Sequence, residues 1–403
     1  MNAKQPDYDV IIVGSGPAGS STALNLLARS PTLRERIVVL EKATHPRIKL
    51  CAGGVVPDVE RCLGSVGLTL ADIHTVSVDW AHMHYRGRGF RMRVARDEAF
   101  RVLRRNELDA YLADNVQRRG IRLEEHTEVS RVHVSDSMVS VETNRGRLVG
   151  RVVVGADGAK SVVRKHVGAS HNSERRVARL VESLVPEMPS DPRMPAGDAL
   201  FEFGCMANGV QGYFWNFPSH DGGDPRRTAG VYDSRAGGGD PRTSLRTIMQ
   251  AEMEASGRDP TELVLEGHPL RWYDPNATIA THRVLLAGDA AGVDAVFGEG
   301  ISLSLGYGEV AAEALAGALA TGDLSFSDYA QRVRSSALGR SLLMRTRVAK
   351  ILYRLRSPAI QRALIWYGGP FFRWFLSRYI FNWRPETMST EHEQRRRFPI
   401  FDA

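Results

Sequence analysis

The chain has 403 residues, of which 43% are hydrophobic, 25% charged and 8% aromatic. This length and composition predict a globular protein with two domains or one large interrupted domain, and they exclude a disordered, collagen-like or disulfide-scaffold protein. The net charge of +7 is uneven, because residues 331–403 contain 15 Lys/Arg and only 4 Asp/Glu.

The N-terminal part has the pattern of a strand, a helix and a second strand. Residues 9–13 form a short β-branched run, a helical pattern extends to about Arg29, and residues 36–41 form a second apolar run. Together they predict a βαβ unit. Farther along, a helix is predicted over residues 102–119, and strands are predicted at residues 128–134, 138–142 and 150–155.

The pattern changes in the middle of the chain. Between residues 172 and 271, alternating polar and apolar residues predict a mainly antiparallel sheet. Residues 284–287 return to the pattern of a buried strand, and a long helix is predicted after Gly300. The first domain is therefore expected to be interrupted by a second domain and then resumed.

A glycine-rich turn joins the first strand to the first helix. Residues 14–19 read G-S-G-P-A-G, and Glu41 ends the next strand, 22 residues after Gly19. This spacing predicts a dinucleotide site, with phosphates on the helix N-terminus and ribose hydroxyls on the acid. An acid there disfavours the 2′-phosphate of NADP. The cofactor-binding residues predicted from this unit are Gly14, Gly16, Pro17, Ala18, Gly19, Glu41 and Lys42.

Three further motifs follow in order along the chain. They are R-N-E-L-D at residues 105–109, G-A-D-G at 155–158 and A-G-D-A at 287–290. With them the chain resembles the FAD-binding proteins of the aromatic hydroxylase and geranylgeranyl reductase type. The resemblance implies FAD as cofactor, with Asp289 on its ribitol. The residues carried over from these motifs are Arg105, Asp157, Gly288 and Asp289.

Two segments resemble the geranylgeranyl reductase branch of this group. The resemblance implies that they lie where the flavin reacts with the substrate. K-L-C-A-G-G at residues 49–54 would bring Cys51 near flavin and substrate, although Ala52 stands where the branch has Gly. G-Y-F-W-N-F-P at residues 212–218 resembles the strand that lines the substrate cavity. Strand alternation puts Tyr213, Trp215 and Phe217 on one face of it.

A third segment, G-E-G-I at residues 298–301, also resembles this branch. It would turn the N-terminus of the long helix, with Gly298, Gly300 and Ile301, toward the flavin, where a helix dipole stabilises negative charge. Its acid, Glu299, is alternatively a plain helix-start residue.

The resemblance implies an α/β flavoprotein with a discontinuous Rossmann-like FAD domain. We assign residues 1–70, 100–170 and 275–330 to that domain, and residues 71–99 and 171–274 to a substrate domain with an antiparallel sheet. Residues 331–403 form a helical C-terminal region.

The implied activity is reduction of C=C bonds in a prenyl or similar apolar substrate by hydride from reduced FAD. Cys51 would supply the proton or position the substrate. The alternative is a monooxygenase that hydroxylates an aromatic substrate through a C4a-hydroperoxide, including a tryptophan of a partner protein during quinone-cofactor maturation. A flavin halogenase is a weaker match, because Tyr213 replaces the first Trp of its W-x-W motif. A flavin-bearing binding or sensor protein without turnover is the third alternative.

The sequence also bears on the electron donor, on metal and nucleic-acid binding, and on the location of the protein. It has one dinucleotide fingerprint, so NAD(P)H would bind only transiently as an electron donor. No metal-ligating cluster and no nucleic-acid motif stands out. A polar start, three cysteines and no apolar run of about 18 residues predict a cytoplasmic protein without a signal peptide or membrane span.

The C-terminal region is basic and aromatic. Arg residues alternate there with Trp, Tyr and Phe between residues 342 and 384. This pattern suits a peripheral membrane contact or a protein interface. It also suits a helical cap over the substrate cavity, which we expect. Residues 395–397 are expected to belong to a loose terminus.

Overall fold

The computed structural model describes residues 6–93, 98–168, 176–187, 191–239 and 241–383. Its strands are β1 (Tyr8–Val13), β2 (Ile37–Leu40), β3 (Gly54–Val55), β4 (Thr75–Val78), β5 (Ala81–Tyr85), β6 (Arg88–Met92), β7 (Phe100–Leu103), β8 (Arg122–Glu124), β9 (Val129–Val134), β10 (Val139–Thr143), β11 (Gly146–Gly155), β12 (Val177–Pro186), β13 (Ala199–Glu202), β14 (Gly212–Asp221), β15 (Asp224–Asp233), β16 (Glu266–Arg271), β17 (Ala280–Thr281) and β18 (Val284–Leu286).

The helices follow the same order along the chain. They are α1 (Pro17–Arg29), α2 (Pro57–Gly64), α3 (Arg105–Arg118), α4 (Leu245–Ala255), α5 (Ile301–Thr321), α6 (Tyr329–Ser335), α7 (Ala337–Leu352), α8 (Pro358–Tyr367) and α9 (Gly369–Phe375). A π-helical turn, Leu376–Ile380, continues α9.

The first sheet has the order β17-β18-β11-β1-β2-β8, with β9 and β10 added as an antiparallel extension of β11. Strands β8, β2, β1, β11 and β18 run parallel. Their V-I-I-V and I-V-V-L runs are buried on both faces, as a parallel sheet covered by helices requires. Helices α1 and α5 pack against each other, and Ser21 Oγ of α1 donates to Leu305 O of α5 at 2.7 Å.

The second sheet has the order β16-β12-β15-β14-β13-β5-β6 and is antiparallel except for the β13–β5 pair. Strand β14 is buried on both faces until Asp221. On one face Phe214 packs in a core with Met249 and Met253 of α4. The other face carries Tyr213, Trp215 and Phe217. The expected α/β architecture with an antiparallel second sheet and a helical C-terminal region is therefore confirmed.

The helix predicted over residues 102–119 is wrong at its start. Helix α3 begins at Arg105, because Val102 and Leu103 belong to β7 and pair with Val76 and Thr75 of β4. Strands β3, β7 and β4 form a small third sheet between segments that we assigned to different domains. The domain division stays a prediction.

The C-terminal helices cover the edge of the second sheet. Trp366 Nε1 of α8 donates to Tyr85 O of β5 at 3.1 Å, and the Phe372 ring of α9 stacks on Phe90 of β6 at 6.2 Å. None of the helices in the described part of the chain combines the length and the apolar character needed to cross a bilayer. The terminus predicted to be loose, residues 395–397, lies outside the described residues.

Candidate active site

A cavity of about 730 Å³ lies where the two large sheets meet. Cys51, Tyr213, Trp215 and Phe217 line it. So do the predicted cofactor residues Gly14, Gly16, Pro17, Ala18, Glu41, Lys42, Arg105, Asp157, Asp289, Gly298, Gly300 and Ile301. Two further predicted residues, Gly19 and Gly288, are buried outside this lining. The sequence motifs therefore converge on one cavity.

The turn before α1 forms one end of the cavity. Gly14 has a φ of +98°, and a Cβ added there would lie 2.4 Å from Ala156 O, so only glycine fits. Next to it, a Cβ on Gly16 would lie 3.5 Å from a guanidinium nitrogen of Arg47 and 3.8 Å from one of Arg105. Two cations thus face a helix N-terminus, which is an arrangement that binds anions.

Asp109 of α3 holds both of these cations. Its carboxylate lies 3.0 Å from Arg47 Nη2 and 2.8 Å from Arg105 Nη2, and it is fully buried. The i,i+4 spacing of Arg105 and Asp109 on the helix makes the second contact possible. The acid therefore orients two guanidinium groups toward the turn at Gly16.

Glu41 lies beside the same turn. Its carboxylate accepts hydrogen bonds from Ser15 Oγ at 2.8 Å and from Ala43 N at 3.1 Å. Burial acts to raise the pKa of Glu41, but Arg47 and these hydrogen bonds outweigh it and hold the pKa below its usual value. The group is therefore an ionised acceptor at neutral pH.

Charged residues from three segments meet at the other end of the cavity. Lys49 contacts His268 Nε2, and both side chains line the cavity with Asp289. Burial lowers the pKa of Lys49 to about 8. Burial and the neighbouring Lys49 lower the pKa of His268 to about 3, so its imidazole is neutral and its Nε2 can accept a hydrogen bond from the Lys49 ammonium. Burial raises the pKa of Asp289, while Lys49 and Arg105 oppose that shift.

The N-terminus of α5 also faces this end. Gly298 has a φ of +71°, and a Cβ there would lie 2.9 Å from the Tyr232 ring. Glu299 Oε1 accepts from Ser302 N at 2.8 Å, and its Oε2 accepts from Ser302 Oγ at 2.8 Å. Glu299 thus acts as a helix-start acid, which was one of its two interpretations.

Asp157 has a split role. Its Oδ2 accepts from Val162 N at 2.6 Å and holds the turn that follows. Its Oδ1 is buried and has no hydrogen-bond partner among the described residues. Buried acceptors are normally paired, so this oxygen is free to accept a hydrogen bond from a ligand in the cavity.

A family model described as an FAD binding domain matches residues 7–337. The chain belongs to this FAD-binding family. It is an FAD-dependent oxidoreductase, as the sequence motifs predicted.

Curated relatives of this flavoprotein include proteins named as reductases. It is 25% identical over 339 residues to the digeranylgeranylglycerophospholipid reductase of Methanosarcina acetivorans, covering 79% of this chain and 77% of the relative. It is 27% identical over 340 residues to the menaquinone reductase of Mycobacterium tuberculosis, covering 76% of each chain.

Among solved structures, the flavoprotein resembles a geranylgeranyl bacteriochlorophyll reductase-like protein of Thermoplasma acidophilum. The TM-score is 0.73 at 20% identity, with 89% of this chain and 91% of that chain covered. At this identity the likeness concerns the fold. With the relatives, it confirms the resemblance to the geranylgeranyl reductase branch.

The described residues of the flavoprotein fit FAD. Arg47, Arg105 and the N-terminus of α1 would hold the pyrophosphate, and Glu41 would bind the ribose next to it. Asp289 and the N-terminus of α5 would face the ribitol and the flavin ring. Asp157 Oδ1, a buried acceptor, would gain the partner that it lacks among the described residues. These individual roles are proposals.

Sequence reasoning missed several residues of the cavity, among them Glu182 and His268. Glu182 is only 7% exposed, lies on β12 and accepts from Cys51 N at 2.8 Å. An acid within the largely apolar run V-A-R-L-V-E-S-L-V-P was the available signal. His268 gave no signal, because its meaning depends on its contact with Lys49 of a distant loop.

We expect Asp289→Asn to weaken FAD binding about 10- to 100-fold, because it replaces a charged hydrogen-bond acceptor for the ribitol by a neutral amide. The affinity is measured by titrating the apoprotein with FAD and recording the quenching of flavin fluorescence. Asp221→Asn, at the exposed end of β14, is the matched control and should bind FAD like the wild type. Unchanged affinity in Asp289→Asn would remove this residue from the cofactor site.

Proposed function

We propose that this oxidoreductase reduces C=C bonds of a prenyl or similar apolar substrate, with NAD(P)H as a transient electron donor. The observation that carries the proposal is one cavity that combines an aromatic wall, Cys51 and a buried carboxyl group, that of Glu182. The curated relatives named above as reductases of prenyl-bearing compounds support the substrate class. FAD, when bound and reduced, supplies two electrons and a proton to carbon as a hydride.

The aromatic wall would hold an isoprenoid chain. The Phe217 ring lies 4.8 Å from the Phe201 ring and 5.3 Å from the Phe100 ring, which gives a continuous apolar surface. Tyr213 Oη donates to Phe297 O at 2.5 Å. Burial raises the pKa of Tyr213 well above its ordinary value, so its phenol positions the wall and is not a proton source.

Glu182 has the properties of a proton donor. One oxygen accepts from Cys51 N at 2.8 Å, and the other is buried without a hydrogen-bond partner among the described residues. Burial raises the pKa of Glu182 to about 7. The hydrogen bond from Cys51, then Arg104 and Lys49, act to lower it, and Glu266 of the neighbouring strand acts to raise it. The raised pKa thus allows Glu182 to carry a proton near neutral pH.

Reduction of a C=C bond needs a hydride on one carbon and a proton on the other. The neutral Glu182 carboxyl would give its proton to the second carbon, become a carboxylate, and be reprotonated from solvent. Burial raises the pKa of the Cys51 thiol, so this thiol is the weaker acid of the two. We therefore assign proton donation to Glu182 and substrate positioning to Cys51.

We expect Glu182→Gln to slow anaerobic single-turnover reduction of substrate about 10²- to 10⁴-fold, the usual contribution of a general acid. In the wild type the protonated form of Glu182 is lost as pH rises through about 7, so the rate should fall across that range. The variant should lose this pH dependence. Stopped-flow recording of flavin reoxidation by substrate, at a series of pH values, measures both.

Glu266→Gln is the matched control, because Glu266 pairs with Glu182 across the strands but is exposed. Its rate should stay within about twofold of wild type. Its pH profile should keep the fall and move only slightly to lower pH, because Glu266 is the smallest of the named influences on the pKa of Glu182. Both variants should retain full FAD content. A Glu182→Gln enzyme with the wild-type rate and pH profile would contradict the assignment.

The same stopped-flow experiment tests the proposed function. The reduced holoenzyme is mixed without oxygen with a polyprenyl lipid, a menaquinone and an aromatic acid in separate runs. Reoxidation by the polyprenyl lipid supports the proposal, whereas reoxidation by the menaquinone alone does not, because its quinone ring can accept the two electrons without reduction of a C=C bond. Reoxidation by none of these compounds, together with an aromatic-dependent reaction once oxygen is admitted, would favour the hydroxylase.

A further inference from the structure

The C-terminal helices carry two sets of aromatic side chains. The inner set, Trp366 and Phe372, packs on Tyr85 and Phe90 at the edge of the second sheet. This packing agrees with the expected cap. It leaves the outer set without a place in the core.

The outer set consists of side chains that remain exposed to solvent. Tyr367 is 71% exposed, Phe371 52% and Trp374 56%, and Ile360 of α8 is 52% exposed. Ile360 and Tyr367 are seven residues apart on α8, and Phe371 and Trp374 are three residues apart on α9, so each pair shares one face of its helix. The rings of Phe371 and Trp374 lie 5.9 Å apart. We call Ile360, Tyr367, Phe371 and Trp374 the outer aromatic patch.

The chain segment that carries the patch is positively charged. Residues 329–385 contain 12 Lys/Arg and no Asp or Glu. Arg362, Arg373 and Arg378 lie in the same helical segment as the patch and are exposed. An exposed apolar surface on a segment with cations and no acids is complementary to a surface that is apolar inside and anionic outside.

The segment that carries the patch also reaches the cavity. Leu376 and Ile380 of the π-helical turn and the adjacent Phe381 line the cavity wall. Leu376 follows Trp374 by two residues. One short stretch of chain thus contacts solvent through the patch and the substrate space through its other side.

We propose that the outer aromatic patch and its flanking arginines dock the protein on an anionic lipid bilayer. A second copy of the chain fits less well, because a symmetric contact would place arginine against arginine with no acid in the segment to pair them. Docking rests on the patch alone. Its use, to admit a lipid substrate to the cavity, rests on the proposed function.

Vesicle flotation tests the docking with the full FAD-loaded chain. Wild type should float with vesicles of phosphatidylcholine and phosphatidylglycerol, and much less with phosphatidylcholine alone or at high salt. Phe371→Ala with Trp374→Ala should reduce the affinity for anionic vesicles about tenfold or more. Arg362→Gln, Arg373→Gln and Arg378→Gln together should do the same. Val264→Ala, another exposed apolar side chain, is the control and should bind like wild type.

A second measurement avoids any folding defect of the variants. Brominated anionic lipids should quench tryptophan fluorescence of the wild-type protein on docking. Absence of flotation with anionic vesicles would overturn the proposal, as would flotation that neither variant reduces. A wild-type dimer in light scattering that Phe371→Ala with Trp374→Ala converts to a monomer would identify a second copy as the occupant instead. Flotation needs no turnover, so its result is independent of the reductase assay.

Discussion

Gly19→Ala is expected to abolish FAD binding and to lower the free energy of unfolding by about 3 kcal/mol. A Cβ at this position would lie 1.8 Å from Gly14 O and 3.0 Å from Gly14 C. Both contacts are with backbone of the turn before α1, which cannot move aside like a flexible side chain. The helix and the turn must therefore move apart, and this movement disrupts the phosphate-binding geometry at Gly16.

Gly317→Ala is a matched control for that substitution. Gly317 lies within α5, and a Cβ there would meet nothing within 4 Å. Alanine is the better helix former, so this variant should gain about 0.5–1 kcal/mol and keep its FAD. Chemical denaturation and the absorbance of bound flavin measure both effects. Wild-type stability and flavin content in Gly19→Ala would contradict the close packing of α1 on the turn.

Arg345→Ala is expected to lower the free energy of unfolding by about 3–5 kcal/mol. The Arg345 side chain is fully buried, as is its partner Asp294 at 3.0 Å, and Glu299 lies at 3.3 Å. Its other guanidinium nitrogens donate to Tyr379 O and Ile380 O at 3.0 and 3.1 Å. Removing the cation leaves two buried carboxylates without their charge partner.

This contact also joins the C-terminal region to the cofactor site. Arg345 lies on α7, its acids precede α5, and its carbonyl partners belong to the π-helical turn. We therefore expect the variant to bind FAD more weakly as well as to unfold more easily. Arg347→Ala, exposed on the same helix, should change stability by less than about 0.5 kcal/mol. Equal stability of the two variants, measured by urea unfolding, would contradict this role for Arg345.

The cofactor half of the site was predictable because its residues act locally. Gly19 is required by its close contact with Gly14 O five residues earlier, and such a local constraint leaves a short motif. The order of that motif and the later Asp157 and Asp289 motifs then indicated FAD. Strand alternation in β14 likewise put Tyr213 and its neighbours on one face without any knowledge of the tertiary structure.

The remaining features depend on contacts between distant segments. Glu182 lies beside Cys51 only because β12 and a loop 131 residues earlier meet at the cavity. Trp366 and Tyr367 are adjacent and similar in sequence, yet the first packs on β5 and the second is exposed. Residues 102 and 103 of β7 were assigned to the helix that follows them. Their pairing with β4 left no signal, because the segment that contains β4 has no clear periodicity.

Product analysis of a single anaerobic turnover tests the central claim most directly. The holoenzyme is reduced with a stoichiometric reductant, excess reductant is removed, and a polyprenyl lipid is added without oxygen. We predict a product with one C=C bond saturated per FAD oxidised, identified by mass spectrometry. A substrate that remains unsaturated under these conditions, and that gains an oxygen atom only when oxygen is admitted, would contradict the reductase account and establish an oxygenase.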